Sequence, residues 1–476
     1  MKSVKENTFV NFIWRFAERV GAQGVNFIVS IILARFLDAE VYGTVALVTV
    51  YMTILQVFVD SGMGNALIIK KDADDIDYSK VFYFNIAICI ILYVLMYLTA
   101  PYVAGFYEKP ELVSIIRVLG VILIISGVKN IQQAYVSKHM IFKTFFFSTL
   151  GGTIVAAVVG IIMAIKGYGV WALAVQYLLN SFVDTAILWV TIKWRPKLLF
   201  SFERLKKLFS TGWKLLVSTL INTIYDNLRQ LVIGKAYSSA DLAYFNRGKQ
   251  YPSLIISNVN SSIDSVLLPV LSKEQDNQER LKAMTRRAIS VSSYIIWPLM
   301  VGLAVCAEPI VVILLTEKWL PCVPYIQMFC FTYAFWPVHT ANLNAIRAVG
   351  RTDIFLKLEI VKKFIDLLIL AVSLKYGPQG IALGVCCATV IDAMLNAWPN
   401  RKLLNYKYHE QFRDILPAVG LSAVMGAIVR LVEFMPIGVM GTLVFQVICG
   451  IVVYVAGSKI LRINSFEYIL SMIRKK

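Results

Sequence analysis

Charged side chains inside long apolar stretches are the residues of this sequence best suited to chemistry. Near the start of the chain, Arg15 and Arg19 are separated by one helical turn, and Glu18 lies between them. An ionised side chain at the centre of a bilayer costs about 2.5–3.5 kcal/mol on insertion scales, so it is expected to face a cavity or a partner. Two arginines one turn apart share a helix face and can bind an anion there. Alternatively, they snorkel to lipid headgroups at the membrane surface.

Cations of the same kind recur along the chain. The candidates for binding an anionic substrate in a cationic cavity are Arg15, Arg19, Arg117, Lys129, Arg229, Arg247 and Lys249. An excess of positive charge in a cavity with low-dielectric walls favours an anionic substrate. Each of these side chains could instead have a purely structural role. It could form an internal ion pair, or it could snorkel to the membrane interface.

Four carboxylates are candidates for gating or for coupling to an ion gradient: Glu18, Asp60, Asp226 and Asp264. Asp60 precedes two glycines and Asp264 precedes Pro269, so both helices are predicted to be irregular where a carboxylate could hold a proton or a sodium ion. Capping or packing is an equally open role for this pair of residues. Asp226 and Arg229 are three residues apart and could form a purely structural bridge.

No motif for soluble catalysis, for a metal or for a resident cofactor is present. The sequence contains no GxxxxGK and no HExxH, and its three histidines are dispersed. The seven cysteines are scattered without CxxC spacing, mostly in apolar runs, which is typical of small core residues. We therefore expect a protein that is not an enzyme and that uses no cofactor beyond coupling to protons or sodium ions.

The elements that position these charges are membrane-spanning helices. Of the 476 residues, 58% are hydrophobic and 16% are charged, and the mean hydropathy is +0.68. The runs 81–107 and 434–458 contain no Asp, Glu, Lys or Arg, and each exceeds the roughly 20 residues that span a bilayer core. Because these runs are apolar on every face, they exclude a β-barrel, whose strands alternate apolar and polar residues. The predicted fold class is an all-α integral membrane protein.

Hydropathy and helix breakers predict about fourteen membrane helices. Their approximate ranges are 10–37, 43–69, 80–104, 112–136, 144–166, 168–192, 209–235, 241–272, 284–315, 323–346, 354–376, 378–400, 411–432 and 436–459. Lysine and arginine concentrate in alternate loops and in both tails, which predicts that both termini are cytoplasmic. The net charge of +18 is therefore mostly topogenic, and we expect no nucleic-acid partner.

The chain also repeats itself. The stretch YGVWALAVQYLLNSFVD from Tyr168 resembles YGPQGIALGVCCATVID from Tyr376, and DSGMGNALIIKK from Asp60 parallels DSVLLPVLSKE from Asp264. Two bundles of six helices related by an axis along the membrane normal follow. The predicted domains are an N-lobe at 1–192, a basic cytoplasmic linker at 193–208, a C-lobe at 209–400, and two further helices with a basic tail at 401–476.

Four stretches in this order resemble the Wzx-type polysaccharide and O-antigen flippases of bacteria. They are LARFLDAEVYG (33–43), DSGMGNALI (60–68), AVGRTDIFLKLE (348–359) and YGPQGIALG (376–384). The family belongs to the multidrug/oligosaccharidyl-lipid/polysaccharide exporter (MOP) superfamily, and the most similar branch is that of colanic-acid and teichuronic-acid exporters. The resemblance covers essentially the whole chain.

The resemblance implies two six-helix bundles in a V around a central cavity, as in MATE transporters, plus two C-terminal helices. It implies a bacterial inner-membrane flippase that moves an undecaprenyl-diphosphate-linked oligosaccharide to the outer leaflet by alternating access, for surface polysaccharide synthesis. Arg15 and Arg19 map onto cavity arginines of the first helix, and Arg247 and Lys249 map onto helix 8. A polysaccharide polymerase and a chain-length regulator are the expected partners, and we expect a monomer.

Three alternatives stay open at this point. A lipid II flippase of the same superfamily is poorly separated by sequence. A cation-coupled multidrug exporter should have a cavity richer in acids than in bases. A membrane-embedded polymerase or glycosyltransferase would place its catalytic residues in a long outer loop, whereas the predicted outer loops are short.

Overall fold

The computed structural model describes residues 2–60, 64, 67, 74–197 and 202–474 of the chain. Side chains are described from Trp14 onward within these ranges, except at 15, 16, 19, 202–212, 214, 215, 262, 473 and 474. Helices and short connections make up this part of the protein, and no strand occurs within it. The predicted all-α class is confirmed.

Nine helices form the first part of the chain: α1 (Lys2–Phe36), α2 (Ala39–Val59), α3 (Asp75–Phe106), α4 (Leu112–Lys138), α5 (Phe142–Ile165), α6 (Val170–Thr191), α7 (Phe202–Ala236), α8 (Ser239–Lys273) and α9 (Gln278–Val305). Polar residues define several of the helix starts. At α3, Asp74 and Asp77 form a reciprocal capping box that satisfies two backbone amides. At α9, the Asn277 side chain accepts a hydrogen bond from the Arg280 amide.

The remaining helices are shorter and more often interrupted. They are α10 (Ala307–Leu315), α11 (Val323–Ala334), α12 (Trp336–Ala348), α13 (Thr352–Ser373), α14 (Gly377–Ala397), α15 (Asn400–Leu403), α16 (Tyr408–Leu431), α17 (Val439–Ile460) and α18 (Asn464–Arg474). A 3-10 turn at Glu317–Cys322 precedes α11, and a second one at Leu374–Tyr376 separates α13 from α14.

Ten helical stretches within the described residues are long and apolar enough to cross a membrane. They are Ala39–Val59, Asp75–Phe106, Leu112–Lys138, Phe142–Ile165, Val170–Thr191, Ser239–Lys273, Gln278–Val305, Thr352–Leu403, Tyr408–Phe434 and Val439–Ile460. The longest contains α13 to α15. The apolar part of α1, Val20–Phe36, is shorter than these stretches. The protein is therefore a multi-pass membrane protein, and the number fourteen stays a prediction.

Several predicted boundaries differ from the observed ones. The segment predicted at 284–315 is divided between α9 and α10, and the segment at 323–346 is divided between α11 and α12, where Pro337 occupies the first turn of the second helix. Helix α7 begins at Phe202, inside the predicted linker 193–208, and continues without a proline to Ala236. Within the segment predicted at 43–69, α2 stops at Val59 with Asp60 as its C-cap, and the described residues Gly64 and Leu67 are again helical.

The chain forms two compact units, unit 1 (Met1–Ala243) and unit 2 (Tyr244–Lys476). In unit 1, one apolar core includes Leu67, Phe82 and Trp194, and a second includes Leu33 and Leu173. In unit 2, one core surrounds Tyr406 and another surrounds Tyr454. The boundary lies within α8, so α7, which the sequence assigns to the C-lobe, belongs to unit 1. Its packing against α2 accounts for this placement.

Candidate functional site

A cavity of about 470 Å³ lies within unit 1. Its lining comes from α2, α4, α6 and α7, and it includes four threonines, Thr49, Thr53, Thr219 and Thr223. Gln56, Tyr177 and Asp60 add an amide, a phenol and a carboxylate. Among the described residues that line it, Asp60 alone carries a charge. The lining surface is mainly apolar, and the hydroxyls of Thr49 and Thr53 donate to backbone carbonyls of α2. Their oxygen atoms can still accept hydrogen bonds from the hydroxyl groups of a ligand.

Asp60 lies exposed at the carboxyl end of α2, where two side-chain amides approach its Oδ1 atom. Asn130 Nδ2 of α4 donates to it over 2.9 Å, and Gln56 Nε2, one turn earlier on α2, donates over 3.5 Å. Gly64, close by in sequence, is tightly packed: a Cβ atom built there would lie 2.8 Å from Asn130 Oδ1. The predicted irregularity after Asp60 thus coincides with a polar contact between α2 and α4.

Unit 2 contains a matching arrangement at the position predicted from the repeat. Asn344 Nδ2 of α12 donates to Asp264 Oδ1 of α8 over 2.7 Å. One turn earlier, Thr340 Oγ1 donates to Asn260 Oδ1 over 2.6 Å. In both units the second helix of the bundle thus presents a carboxylate to an amide of its fourth predicted segment. The side chains support the internal repeat that the sequence predicts.

Lys129, predicted to bind substrate, has a protein partner. Its Nζ atom lies 3.0 Å from Asp184 Oδ2 of α6, and only 10% of the Asp184 side chain is exposed. Gly152 of α5 leaves room for Asp184, because a Cβ atom at position 152 would lie only 3.0 Å from Asp184 Cβ. Asp184 Oδ1 is buried and accepts no hydrogen bond from the described residues.

Two further predicted substrate-binding cations pack against aromatic rings. The guanidinium of Arg247 lies 5.3 Å from the Trp319 ring centroid and donates to Gln250 Oε1 over 2.8 Å, and the residue is 5% exposed. The Arg117 guanidinium lies 4.1 Å from the ring centroid of Tyr97. Such contacts stabilise a desolvated cation. Arg247 thus packs against Trp319, and its contact with substrate stays a prediction.

Of the remaining predicted site residues, some have side chains that the structure describes and two do not. Those of Arg15 and Arg19, on α1, lie outside the described residues, while Glu18 between them is half-buried. On α7, Asp226 is exposed and Arg229 is half-buried; on α8, Lys249 is half-buried. That these cations receive the substrate stays a prediction.

Two glycines allow close packing at the predicted outer end of unit 1. A Cβ atom at Gly43 of α2 would lie 1.7 Å from the Ser239 carbonyl oxygen at the start of α8. A Cβ atom at Gly234 of α7 would lie 2.2 Å from Leu47 Cδ2. Lys235 Nζ of α7 also pairs with Glu108 Oε1 over 3.0 Å, at the carboxyl end of α3. Gly234 thus lets α7 approach α2 closely, and Gly43 lets α2 approach the start of α8.

In unit 2, a polar network joins α9 to α16. Arg286 donates from Nε to Asp414 Oδ2 over 2.8 Å and from Nη2 to Asp414 Oδ1 over 2.6 Å. The Tyr406 hydroxyl donates to the same Oδ2 over 2.7 Å. Burial, together with this hydrogen bond, raises the pKa of the Tyr406 phenol far above its ordinary value, so it stays a donor at physiological pH. Nearby, Lys282 Nζ pairs with Glu410 Oε1 over 2.8 Å.

Sequence reasoning missed the amide partners of the two aspartates, the two-glycine contact and the Arg286 network. The repeat did not place the amides, because Asn130 and Asn344 are 214 residues apart whereas Asp60 and Asp264 are 204 residues apart. The other two features join residues distant in the chain, which no local pattern reveals. Within the described residues, no group of three or more His, Cys, Asp and Glu side chains could hold a metal ion.

Comparisons with known proteins agree on one family and one fold. Residues 32–324 match the model of a family described as polysaccharide biosynthesis protein. The teichuronic acid biosynthesis protein TuaB of Bacillus subtilis (strain 168) is 24% identical over 382 residues, covering 78% of each chain. The lipopolysaccharide biosynthesis protein WzxC of Escherichia coli (strain K12) is 22% identical over 444 residues, covering 90% of this chain and 89% of that protein.

Solved structures of similar fold are membrane transporters. The lipid II flippase MurJ in an inward closed conformation superposes with a TM-score of 0.72 at 17% identity, covering 95% of this chain and 98% of that one. An inward-facing multidrug resistance MATE transporter of the MOP superfamily gives a TM-score of 0.63 at 16% identity, covering 80% and 94%. At these identities the likeness shows the fold.

Proposed function

The chain belongs to the family of polysaccharide biosynthesis proteins, and from this premise we propose that it flips a polyprenyl-diphosphate-linked oligosaccharide across the bacterial inner membrane. It is a membrane transporter involved in polysaccharide biosynthesis rather than an enzyme. The proposed carrier is undecaprenyl diphosphate, and the oligosaccharide is a repeat unit of a surface polysaccharide. Movement is from the cytoplasmic to the outer leaflet.

The observation that carries this proposal is the cavity of unit 1. Its threonine hydroxyls and the Gln56 amide can exchange hydrogen bonds with the hydroxyl groups of a sugar, at a depth where lipid offers none. Because Asp60 and Tyr177 would also suit a drug-like cation, the choice of a saccharide substrate depends on the family match as well. The apolar helices around the cavity suit a substrate whose remainder is a long hydrocarbon tail.

The proposed mechanism is alternating access by rocking of the predicted lobes 1–192 and 209–400, built from fourteen helices in a V with both termini cytoplasmic. The contact of Gly43 with Ser239 and of Gly234 with Leu47 supports a conformation closed at the predicted outer end. In that conformation a substrate would enter from the cytoplasmic side. Arg15 and Arg19 are proposed to receive its diphosphate there, because a bidentate guanidinium matches phosphate oxygens.

The proposal extends to partners and energy supply. A polysaccharide polymerase and a chain-length regulator would act on the flipped unit, while the transporter itself would work as a monomer. A gradient of protons or sodium ions is the proposed source of work.

Deleting the gene tests the function directly. We expect loss of surface polysaccharide and accumulation of lipid-linked repeat units that a membrane-impermeant glycosidase added to intact cells cannot reach. Flipping of lipid II, followed by an external probe in the same cells, should continue unchanged. Repeat units that become accessible in the deletion strain, or loss of lipid II flipping instead, would contradict the proposal.

Replacing both Arg15 and Arg19 with alanine is expected to abolish surface polysaccharide without lowering the amount of protein in the membrane. The reason is that removing both guanidinium groups leaves the diphosphate charge without a partner in a low-dielectric entrance. Polysaccharide is measured by immunoblot in the complemented deletion strain. The matched control replaces Arg401 and Lys402, two exposed neighbouring cations, with alanine. Normal export by the Arg15 and Arg19 variant would remove these residues from the substrate site.

A further inference from the structure

We propose that one face of α8 in unit 2 binds the saccharide portion of the substrate. This face, the α8 polar face, consists of Asn258, Ser261, Asp264 and Ser265, and all four residues are exposed. The inference deepens the proposed function and rests on it, because it assigns sugar-binding residues to the same transporter. It starts from a polar surface in the interior of a membrane helix.

The four residues share one side of α8. Asn258, Ser261 and Ser265 follow one another at intervals of three and four residues, which places them within about 60° around the helix axis. Asp264 lies at the edge of this group, about 60° from Ser261. From Asn258 to Ser265 the face extends for about 10 Å along the axis. It is therefore long enough to contact several hydroxyl groups of a saccharide at once.

The α8 polar face lies within a stretch that crosses the membrane. Ser239–Lys273 is long and apolar enough to span the bilayer, and the face ends at Ser265, eight residues before Lys273. At 1.5 Å per residue, its nearer end is about 12 Å from the predicted cytoplasmic end of α8. Exposed hydroxyl and amide groups are costly in lipid, because hydrocarbon forms no hydrogen bonds with them. We therefore infer that the face contacts water or a polar ligand.

Two hydrogen bonds to α12 fix the rotation of α8 at this level. Thr340 Oγ1 donates to Asn260 Oδ1 over 2.6 Å, and Asn344 Nδ2 donates to Asp264 Oδ1 over 2.7 Å. The two bonds are one turn apart on both helices, so together they resist rotation of α8 about its own axis. The other three residues of the α8 polar face lie on the adjoining side of the helix, where they are exposed.

The side-chain oxygen atoms of the face are acceptors for sugar hydroxyl groups. Asn258 Nδ2 donates to the Leu254 carbonyl oxygen over 2.9 Å, and Ser261 Oγ donates to the Asn258 carbonyl oxygen over 3.1 Å. These bonds use donor hydrogens, whereas the Asn258 Oδ1 and Ser261 Oγ atoms have lone pairs that accept hydrogen bonds. The Asp264 carboxylate adds two acceptor oxygens. A saccharide, which carries many hydroxyl donors, matches this set of groups.

The charge of the face favours the saccharide over the other parts of the substrate. Asp264 is the single charged residue among the four, and its ionised carboxylate repels a diphosphate. The hydrocarbon tail of the carrier would leave the hydroxyl and amide groups without hydrogen bonds. A hydrophobic cation is the rival ligand, because a carboxylate attracts it, so the experiment includes one.

Cysteine labelling of the full chain in proteoliposomes tests the proposal. The parent carries Cys387→Ser, because Cys387 is an exposed native thiol. Ser261→Cys should react readily with a charged maleimide. Lipid-linked repeat units extracted from the deletion strain, at about ten times their dissociation constant, should slow this reaction about tenfold by mass action. Undecaprenyl diphosphate without sugar should leave the rate unchanged. Ser265→Cys should behave in the same way as Ser261→Cys.

Val266→Cys is the matched control, because Val266 is 62% exposed and adjoins Ser265 but lies about 100° further around the helix. Repeat units should not change its rate. Thr223→Cys, in the cavity of unit 1, reports substrate binding independently of α8. If repeat units slow Thr223→Cys but not Ser261→Cys, the α8 polar face is not the saccharide site, whereas the proposed function stands.

Other results would overturn the proposal for different reasons. If repeat units slow neither Thr223→Cys nor Ser261→Cys, the proposed function fails together with the inference. Protection of Ser261→Cys by tetraphenylphosphonium, but not by repeat units, would identify a cation site. Equal protection by undecaprenyl diphosphate with and without sugar would assign the face to the carrier. An unreactive Ser261→Cys would show that water does not reach the face.

Discussion

Gly43→Ala is expected to stop export by preventing closure of the predicted outer end. The new Cβ atom would lie 1.7 Å from the Ser239 carbonyl oxygen, which belongs to backbone and cannot rotate away as a side chain could. Helix α2 must then separate from the start of α8. Overpacking of this kind costs about 1–3 kcal/mol. The closed conformation would lose population by roughly 5- to 150-fold relative to the open one.

Labelling of a cysteine at position 47 measures this separation. Leu47 is 4% exposed and contacts the position of Gly234, so Leu47→Cys should react slowly with a membrane-impermeant maleimide in the parent protein. The parent for this experiment carries Cys387→Ser, because Cys387 is an exposed native thiol. Adding Gly43→Ala should accelerate labelling from outside the cell, and surface polysaccharide should fall in parallel.

Gly105→Ala provides the matched control for this experiment. Gly105 also lies at the predicted outer end, near the end of α3, but a Cβ atom there would meet nothing within 4 Å. Its labelling rate and polysaccharide level should equal those of the parent. Equal labelling in the Gly43 and Gly105 variants would show that the glycine contact does not control opening.

Asp414→Ala is expected to cause the largest loss of stability among the ion-pair variants considered. It removes the acceptor of both Arg286 hydrogen bonds and of the Tyr406 hydroxyl, and only 11% of the Asp414 side chain is exposed. Breaking a fully buried pair costs about 3–5 kcal/mol. Because 40% of the Arg286 side chain is exposed to solvent, we expect about 2–3 kcal/mol here. Thermal unfolding in detergent measures the difference.

The pair of Arg351 and Asp353 is the control that distinguishes the effect of bidentate geometry on stability from the effect of burial. It has the same bidentate form, with both distances 2.8 Å, but its side chains are 49% and 51% exposed. Asp353→Ala should therefore leave the unfolding temperature almost unchanged. If the two aspartate variants unfold at the same temperature, burial of the Asp414 network does not stabilise unit 2.

The apolar runs were sufficient to predict an all-helical membrane protein, whereas the matched halves inferred from the repeat stay a prediction. Asp60 and Asp264 were found because each is the single carboxylate in an otherwise apolar segment end, and the repeat predicted that their surroundings would correspond. The structure supports that correspondence through Asn130 and Asn344. Such a local pattern predicts a polar contact reliably, because a charged side chain inside a membrane must face a partner or a cavity.

The partners of the cations were not predictable in the same way. Lys129 and Asp184 are far apart in sequence, and their pairing depends on Gly152 allowing α5 to approach α6. Arg247 occurs among aromatic residues in the sequence, but its stacking partner Trp319 comes from a distant 3-10 turn. Two helix ends also differ from the hydropathy prediction, and in both cases a proline lies in the first turn of the new helix, Pro309 in α10 and Pro337 in α12.

The length of α7 has a mechanical consequence. Its 35 residues form one rod about 52 Å long, with no proline to act as a hinge. Near one end it carries Gly234, and near its middle it carries Thr219 and Thr223 of the cavity. A stiff lever of this length turned by about 10° around its midpoint displaces each tip by roughly 4–5 Å. Separation of Gly234 from Leu47 would therefore move the opposite end of α7 in the reverse direction at the same time.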